Sequence, residues 1–340
     1  MKRLMLSIML VCLFCLAACG PSAEELIEKY ETAVSLAADG SCAEAELLFD
    51  EIVDSESDVT RDGDDSSLVS LSRTGRSACS ALALTESDIA ADPPNSLTRL
   101  VSAANYFEGT SQLDEVEAMI GDMWVEYGVE ALATRGNCPN WRGIVNRLPD
   151  SDTSAPVFLQ QCGDDLSARS PGSLQARNYY RKLLENYAAA PNRAAVEASL
   201  AAETINYVNN EPDQFLFFPQ PEGVTEGVSI GGDKAVISIA NGTEDKINLV
   251  LAGLETVVES VEGCAECEGA TSCSGNEPFV TFEVDPGSYQ IVLESGSIEN
   301  EVAMLTGFGD INPSVQPYAG SWDLEAGTAY PMCFFLTTVE

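Results

Sequence analysis

The sequence predicts a multidomain chain of the α-then-β class, a helical domain followed by an antiparallel β-sandwich. Two observations carry that prediction. From Glu24 to Asn210 apolar residues recur at intervals of three and four, as in Leu26, Ile27, Tyr30, Ala33, Val34 and Ala37, the stripe of a half-buried helix. After Gly232 the period changes to two, in Ala235-Val236-Ile237-Ser238-Ile239 and Ile247-Asn248-Leu249-Val250-Leu251. Between them, Phe215-Leu216-Phe217-Phe218 precedes Pro219, Pro221, Gly223, Gly227, Gly231 and Gly232, a composition shift that marks a linker.

The first residues read as a secretory leader. Lys2 and Arg3 are followed by an uncharged apolar run from Leu4 to Leu16. That run is shorter than the roughly 20 residues a spanning helix needs, so a cleaved signal is expected. Leu16-Ala17-Ala18-Cys19 resembles the bacterial lipobox. The resemblance implies diacylglycerol on the Cys19 sulfur, cleavage before Cys19, and acylation (palmitate) of the new amino group. Several acyl chains hold a protein stably to a bilayer, at about 0.8 kcal/mol per buried CH₂. The expected address is the bacterial cell envelope, facing the periplasm or exterior. Gly20 replaces the aspartate that often retains such proteins in an inner membrane, which leans towards the outer membrane or cell surface. Expected boundaries are 1–18 for the signal peptide, 19–214 for the helical domain, 215–233 for the linker and 234–340 for the β domain.

Charge excludes several function classes. The chain holds 54 acidic and 17 basic residues, a formal net charge of −37. Such a field repels nucleic acid and anionic headgroups. Apolar residues at 45% supply ample core, so the acidity does not indicate disorder. Histidine is absent, which removes His-based triads, His general bases and His metal ligands together. Carboxylate-pair hydrolysis survives in principle, but no spacing singles out a pair. No catalytic residue, cofactor or metal site is expected. The acids of Asp58 to Asp65 lack the alternate-ligand spacing of a calcium loop and read as a solvated loop.

The cysteines form a map. Cys12 and Cys15 leave with the signal and Cys19 takes lipid, leaving Cys42, Cys79, Cys138, Cys162, Cys264, Cys267, Cys273 and Cys333. An even remainder outside the cytoplasm reads as disulfides. Leu36-Ala37-Ala38-Asp39-Gly40-Ser41-Cys42 recurs as Leu132-Ala133-Thr134-Arg135-Gly136-Asn137-Cys138, each followed by a further cysteine. That repeat predicts Cys42–Cys79 and Cys138–Cys162. Around Cys264-x-x-Cys267-x5-Cys273 and Cys333, three readings compete: two structural disulfides, a four-thiolate zinc site, or a redox-active pair at Cys264 and Cys267. Structural disulfides fit the glycine-rich loop best, and the partner of Cys333 stays open.

Helix, glycine turn, helix is the unit of tetratricopeptide-type repeats, and Ala37-x-x-Gly40-x-x-x-Glu44-Ala45 is similar to that family's central pattern. Weaker copies run from Trp124 to Leu148 and from Asn178 through Pro191 to Ala202. The resemblance covers residues 24–210 without the regular 34-residue period, so an irregular array or bundle is expected. It implies protein or peptide binding in a concave groove, but marks no groove residues. Trp124, Trp141 and Tyr179 are read as core.

In the β third, Asn241-Gly242 and Asp285-Pro286-Gly287-Ser288 are read as hairpin turns, the second joining Phe279–Val284 to Tyr289–Leu293. Asn241-Gly242-Thr243 also matches a glycosylation sequon, which a turn explains better. Further strands are expected at Glu301–Leu305, around Trp322-Asp323-Leu324, and at Tyr330–Thr338, giving an immunoglobulin-like antiparallel sandwich. The turn pattern resembles small envelope modules that follow helical repeats in bacterial lipoproteins. Tyr318 and Trp322 are read as core anchors in preference to a sugar platform. The functional expectation is a lipid-anchored, non-enzymatic module that binds an envelope protein or peptide. The alternatives are glycan binding through the sandwich, or thiol–disulfide exchange at Cys264/Cys267.

Overall fold

The computed structural model describes residues 21–56, 58–60, 66–224, 232–267, 275–295 and 317–334, and within them the chain runs from helices to strands. Two units divide it, Met1–Ala155 and Pro156–Glu340. No helix among the described residues is long and apolar enough to cross a membrane.

In the first unit, α1 (Ala23–Ala38) starts where Ser22 Oγ accepts from Glu25 N–H at 3.2 Å and the Glu25 carboxylate accepts from Ser22 N–H at 2.8 Å. This reciprocal cap satisfies two otherwise orphaned amides. Leu26, Tyr30, Ala33 and Ala37 form its buried stripe. At its end Gly40 takes φ +84°, letting Gly40 N–H reach Ala37 O and Ser41 N–H reach Leu36 O. A left-handed residue closes a helix this way, and glycine carries no Cβ penalty there. Next come α2 (Cys42–Asp54), α3 (Leu68–Leu82), α4 (Glu86–Ala91), α5 (Pro93–Tyr106), α6 (Gln112–Leu132) and α7 (Trp141–Val145). Helices α1, α2 and α3 pack in succession, then α3 on α5 and α5 on α6. Gly128 interrupts α6 with a non-helical backbone. Trp124 and Trp141 are half-buried. Residues 61–65 of the acidic run lie outside the described residues.

The division into units falls inside α8 (Ser151–Arg169). In the second unit α8 leads to α9 (Leu174–Asn186) and α10 (Arg193–Asn210), and then, among the described residues, to eight strands: β1 (Leu216–Phe217), β2 (Ala235–Asn241), β3 (Ile247–Ala252), β4 (Thr256–Val261), β5 (Phe279–Val284), β6 (Gly287–Ser295), β7 (Tyr318–Leu324) and β8 (Ala329–Phe334). They form a sheet of order β1-β7-β6-β3-β4 and another of order β5-β2-β8. Alternate residues of both turn inward: Ile237 and Ile239 on β2, Leu249 and Leu251 on β3, Ile291 and Leu293 on β6. Trp322 is fully buried among them, with Tyr318 packed alongside, so both serve the core and Trp322 offers no surface to a sugar. Within the stretch expected as linker, residues 216–220 lie against β7 of the five-stranded sheet and Val224 bridges Ala329 of β8 in the other. Leu216 pairs with Tyr318, Phe218 is buried in the core, and Gln220 bonds Asp323 through its side chain.

Three expectations are corrected. The sheets are mixed rather than antiparallel, because β1 runs parallel to β7 and β2 parallel to β8. Turn chemistry reports only neighbours in sequence, whereas these pairs join distant strands. Neither expected hairpin forms either. The Asn241-Gly242 turn carries the chain from β2 in one sheet to β3 in the other, and the turn after Val284 carries it from β5 to β6 in the same fashion. Each flanking strand buries its apolar face against one shared core from opposite sides, which requires the chain to cross. The hairpin is instead β3–β4, in register from Ile247↔Val261 to Ala252↔Thr256, and β4 is a strand that the alternation did not reveal. The expected strand at Glu301–Leu305 and the end of the Tyr330–Thr338 strand lie outside the described residues.

Candidate functional site

The face of the five-stranded sheet turned away from the core is covered by α10. Ala201 packs on Val250 and Val292, with Ile205, Val208, Phe215, Val258 and Ala319 around them. Helix α9 is tied to the same sheet by charge. Arg177 and Arg181, one turn apart on α9, both donate to the Glu294 carboxylate near the end of β6. Arg177 is fully buried, while Arg181 and Glu294 are 6% and 8% exposed. Burial pushes the Glu294 carboxyl up, but the Arg177 and Arg181 charges outweigh it and hold it at about 2. Arg177 Nε also donates to Thr204 Oγ1 at 3.2 Å, and its guanidinium lies 5.1 Å from the centre of the Tyr207 ring. Its Nη1 is buried and donates to no described residue.

A second buried carboxylate fixes the loop entering α9. Glu203, 2% exposed on α10, accepts from Ser167 Oγ at 2.6 Å, Gly172 N–H at 2.7 Å and Ser173 N–H at 3.1 Å. Gly172 sits at φ +83°, and a Cβ there would stand 2.9 Å from the Asn206 and Tyr207 backbone. Only glycine fits this approach.

Where α9 and α10 diverge above β3 and β4, a pocket of about 210 Å³ remains. Leu184 and Leu200 from the helices, with Val250 and Val258 from the sheet, supply apolar walls; Asn248 and Ser260 bond each other at 2.8 Å. Arg181, Arg193 and Lys246 border it, together with Glu185 and Glu259. The recess is thus small and mixed, with apolar patches among predominantly polar and charged lining. Sequence reasoning missed this pocket. Its trace was Arg181, which shares a helix face with Arg177 in a chain poor in bases; of the two, Arg181 alone reaches the pocket.

The cysteines stand as follows. Cys42 on α2 is bonded to Cys79 on α3, and Cys264 to Cys267 in the turn after β4. Cys138, Cys162 and Cys333 are each disulfide-bonded. Cys19 and Cys273 lie outside the described residues. Cys264 N–H donates to Thr243 O at 2.6 Å and Cys267 N–H to Cys264 O at 3.0 Å, so this turn is pinned to the Asn241 corner. Thiols joined to each other do not ligate zinc, and no group of three or more metal-binding side chains occurs among the described residues. Tyr179, read as core, is half-buried, and burial pushes its hydroxyl up to about 12. No protein-family model, curated protein or solved structure matches the chain.

Proposed function

We propose that this protein is a lipid-anchored, non-enzymatic binding module of a bacterial envelope, held by acyl chains on Cys19 and acting on a protein or peptide partner. The observation that carries the binding reading is the pocket between α9, α10 and the β3–β4 face, where Leu184, Leu200, Val250 and Val258 stand beside the polar and charged groups of Arg181, Arg193, Lys246, Asn248 and Ser260. The lipobox-like run before Cys19 supports the anchor, and the even number of remaining cysteines suits an oxidising compartment. On this reading the helices of residues 24–210 descend from tetratricopeptide-type repeats and the strands form an immunoglobulin-like sandwich. The exposed acids Glu244, Asp245, Glu262 and Glu266 around Cys264 and Cys267 oppose thiolate formation, which favours a structural role for that disulfide.

Two measurements test the reading. Mass spectrometry of the membrane-extracted protein should find a diacylglyceryl adduct on Cys19, and Cys19→Ala should release the chain to the soluble fraction. A photo-crosslinking residue at Glu259 should capture a reproducible envelope protein in native membranes, and a crosslinker at Glu28 in the first unit should not capture it. Failure to capture any partner at Glu259 sinks the binding reading.

A further inference from the structure

The pocket beside β4 supports an inference that rests on the proposed binding role and gives its mode. We propose that the edge of β4 receives an extended segment of a partner protein, which adds as a further strand and sends alternate side chains into the pocket beneath α9 and α10.

The sheet edges differ in how they are guarded. The five-stranded sheet ends in β1 and β4, the three-stranded sheet in β5 and β8. Strand β1 is two residues long, and β8 carries Pro331. Short strands and prolines are devices that discourage edge pairing. Strand β4 has neither. It reads Thr256-Val257-Val258-Glu259-Ser260-Val261, rich in β-branched residues with a single charge, and among the described residues it pairs with β3 alone. Strand β5 is equally plain, but only β4 borders the pocket.

Register dictates what such a strand would meet. Val258 lies opposite Val250 and Ser260 opposite Asn248, all four lining the pocket. An added strand continues these two rows about 4.8 Å further out. The residue beside Val258 meets Leu184 and Leu200 and is apolar. Two positions along, beside Ser260, the row runs towards Lys246 and Arg193, and a carboxylate suits it. Lys246 and Lys234 are the only bases after residue 233, and at this corner Lys246 joins Arg181 and Arg193, with Glu185 and Glu259 also on the border. Arg193 is held by Glu197 at 2.8 Å, whereas the Lys246–Glu262 pair, at 3.4 Å, has a Glu262 side chain 77% exposed, so water weakens it and Lys246 is the base open to a partner's carboxylate. The partner segment is therefore extended, with an apolar residue and an acidic residue two positions apart.

The test starts from the purified full-length protein in detergent and a phage library of random linear peptides. Enriched peptides are synthesised and each backbone nitrogen methylated in turn. Edge pairing expects an apolar and an acidic residue at i and i+2. It also expects an alternating scan, in which methylation at every second residue weakens binding by roughly tenfold, as loss of a ladder hydrogen bond warrants, and the intervening sites change little. Lys246→Glu should lower affinity for the acidic peptides and leave their Gln analogues unaffected. A flat methylation scan on peptides that do bind overturns edge pairing and leaves the peptide-binding role standing. If no peptide is enriched, the inference falls, while crosslinking at Glu259 still judges the broader reading.

Discussion

Arg177 on α9 and Glu294 on β6 form a buried ion pair, completed by Arg181 one helical turn away. Removing one partner of such a group leaves charge in a low-dielectric interior without compensation. Glu294→Ala should therefore cost about 3–5 kcal/mol, read from urea unfolding of the folded protein. An unchanged midpoint would show that the pair does not hold α9 to the sheet.

The same carboxylate gives a pH dependence. Glu294 is held at about 2 in the fold against an ordinary 4.5. A depressed folded value stabilises fully above the unfolded value and is lost as the pH falls through the folded one. Stability should thus decline from about pH 4.5 towards pH 2, and Glu294→Gln should flatten that limb. Parallel acid titrations of the two proteins by circular dichroism provide the comparison.

Glu203 satisfies two backbone amides and a hydroxyl at the entry to α9. Truncation to alanine leaves those donors buried, at about 1–3 kcal/mol for an unsatisfied group. Gly172→Ala should cost a similar amount, because it forces a side chain into a left-handed backbone against the Asn206 and Tyr207 main chain. Thermal melts would register both. Hydrogen exchange should then accelerate first at Gly172 and Ser173.

Asn241 is the corner piece between the sheets. Its amide nitrogen converges on the carbonyls of Asp245, Val261 and Glu262, and its Oδ1 accepts from Thr243 N–H at 3.0 Å. Asn241→Ala should lower stability by about 2–3 kcal/mol, as buried acceptors lose their donor. Asn241→Asp should be no milder, since a carboxylate cannot donate to those carbonyls. Equal stability of the Asp variant and the parent would refute the role assigned to the amide.

The Cys42–Cys79 bond closes a loop of sequence separation 37 between α2 and α3. A double Cys→Ser variant should be about 3–4 kcal/mol less stable, by the chain-entropy argument. Denaturant midpoints with and without reductant would measure it.

Much of the helical part was legible because its signals are local. The Leu26–Tyr30–Ala33–Ala37 stripe declares its own face, and Gly40 marks the stop, although the Ser22–Glu25 cap that opens the helix went unread. The β part was legible as strands but not as a topology. Asn241-Gly242 and Asp285-Pro286-Gly287 reverse the chain equally well within a sheet or between two, and which occurs depends on where the shared core lies. Thr256–Val261 escaped notice because its burial does not alternate: Val257 faces one apolar cluster and Val258 the other. The pocket was illegible for a related reason. Arg181 and Lys246 meet the same cavity only after the chain has crossed from helix to sheet.

The parallel pairing of β2 with β8 has a consequence for the life of the chain. A nascent polypeptide leaving a ribosome or a translocation channel exposes Ala235–Asn241 long before Ala329–Phe334 arrives to lie beside it. Until then the β2 edge is open and the second sheet is missing a wall, so folding of this half waits on delivery of β8. Such late, long-range closure is slow relative to helix formation and leaves an aggregation-prone interval. A holdase that shields extended apolar segments would find its target there, and deletion of the stretch around Tyr330 and Phe334 should yield insoluble protein even though nearly all of the sequence is present.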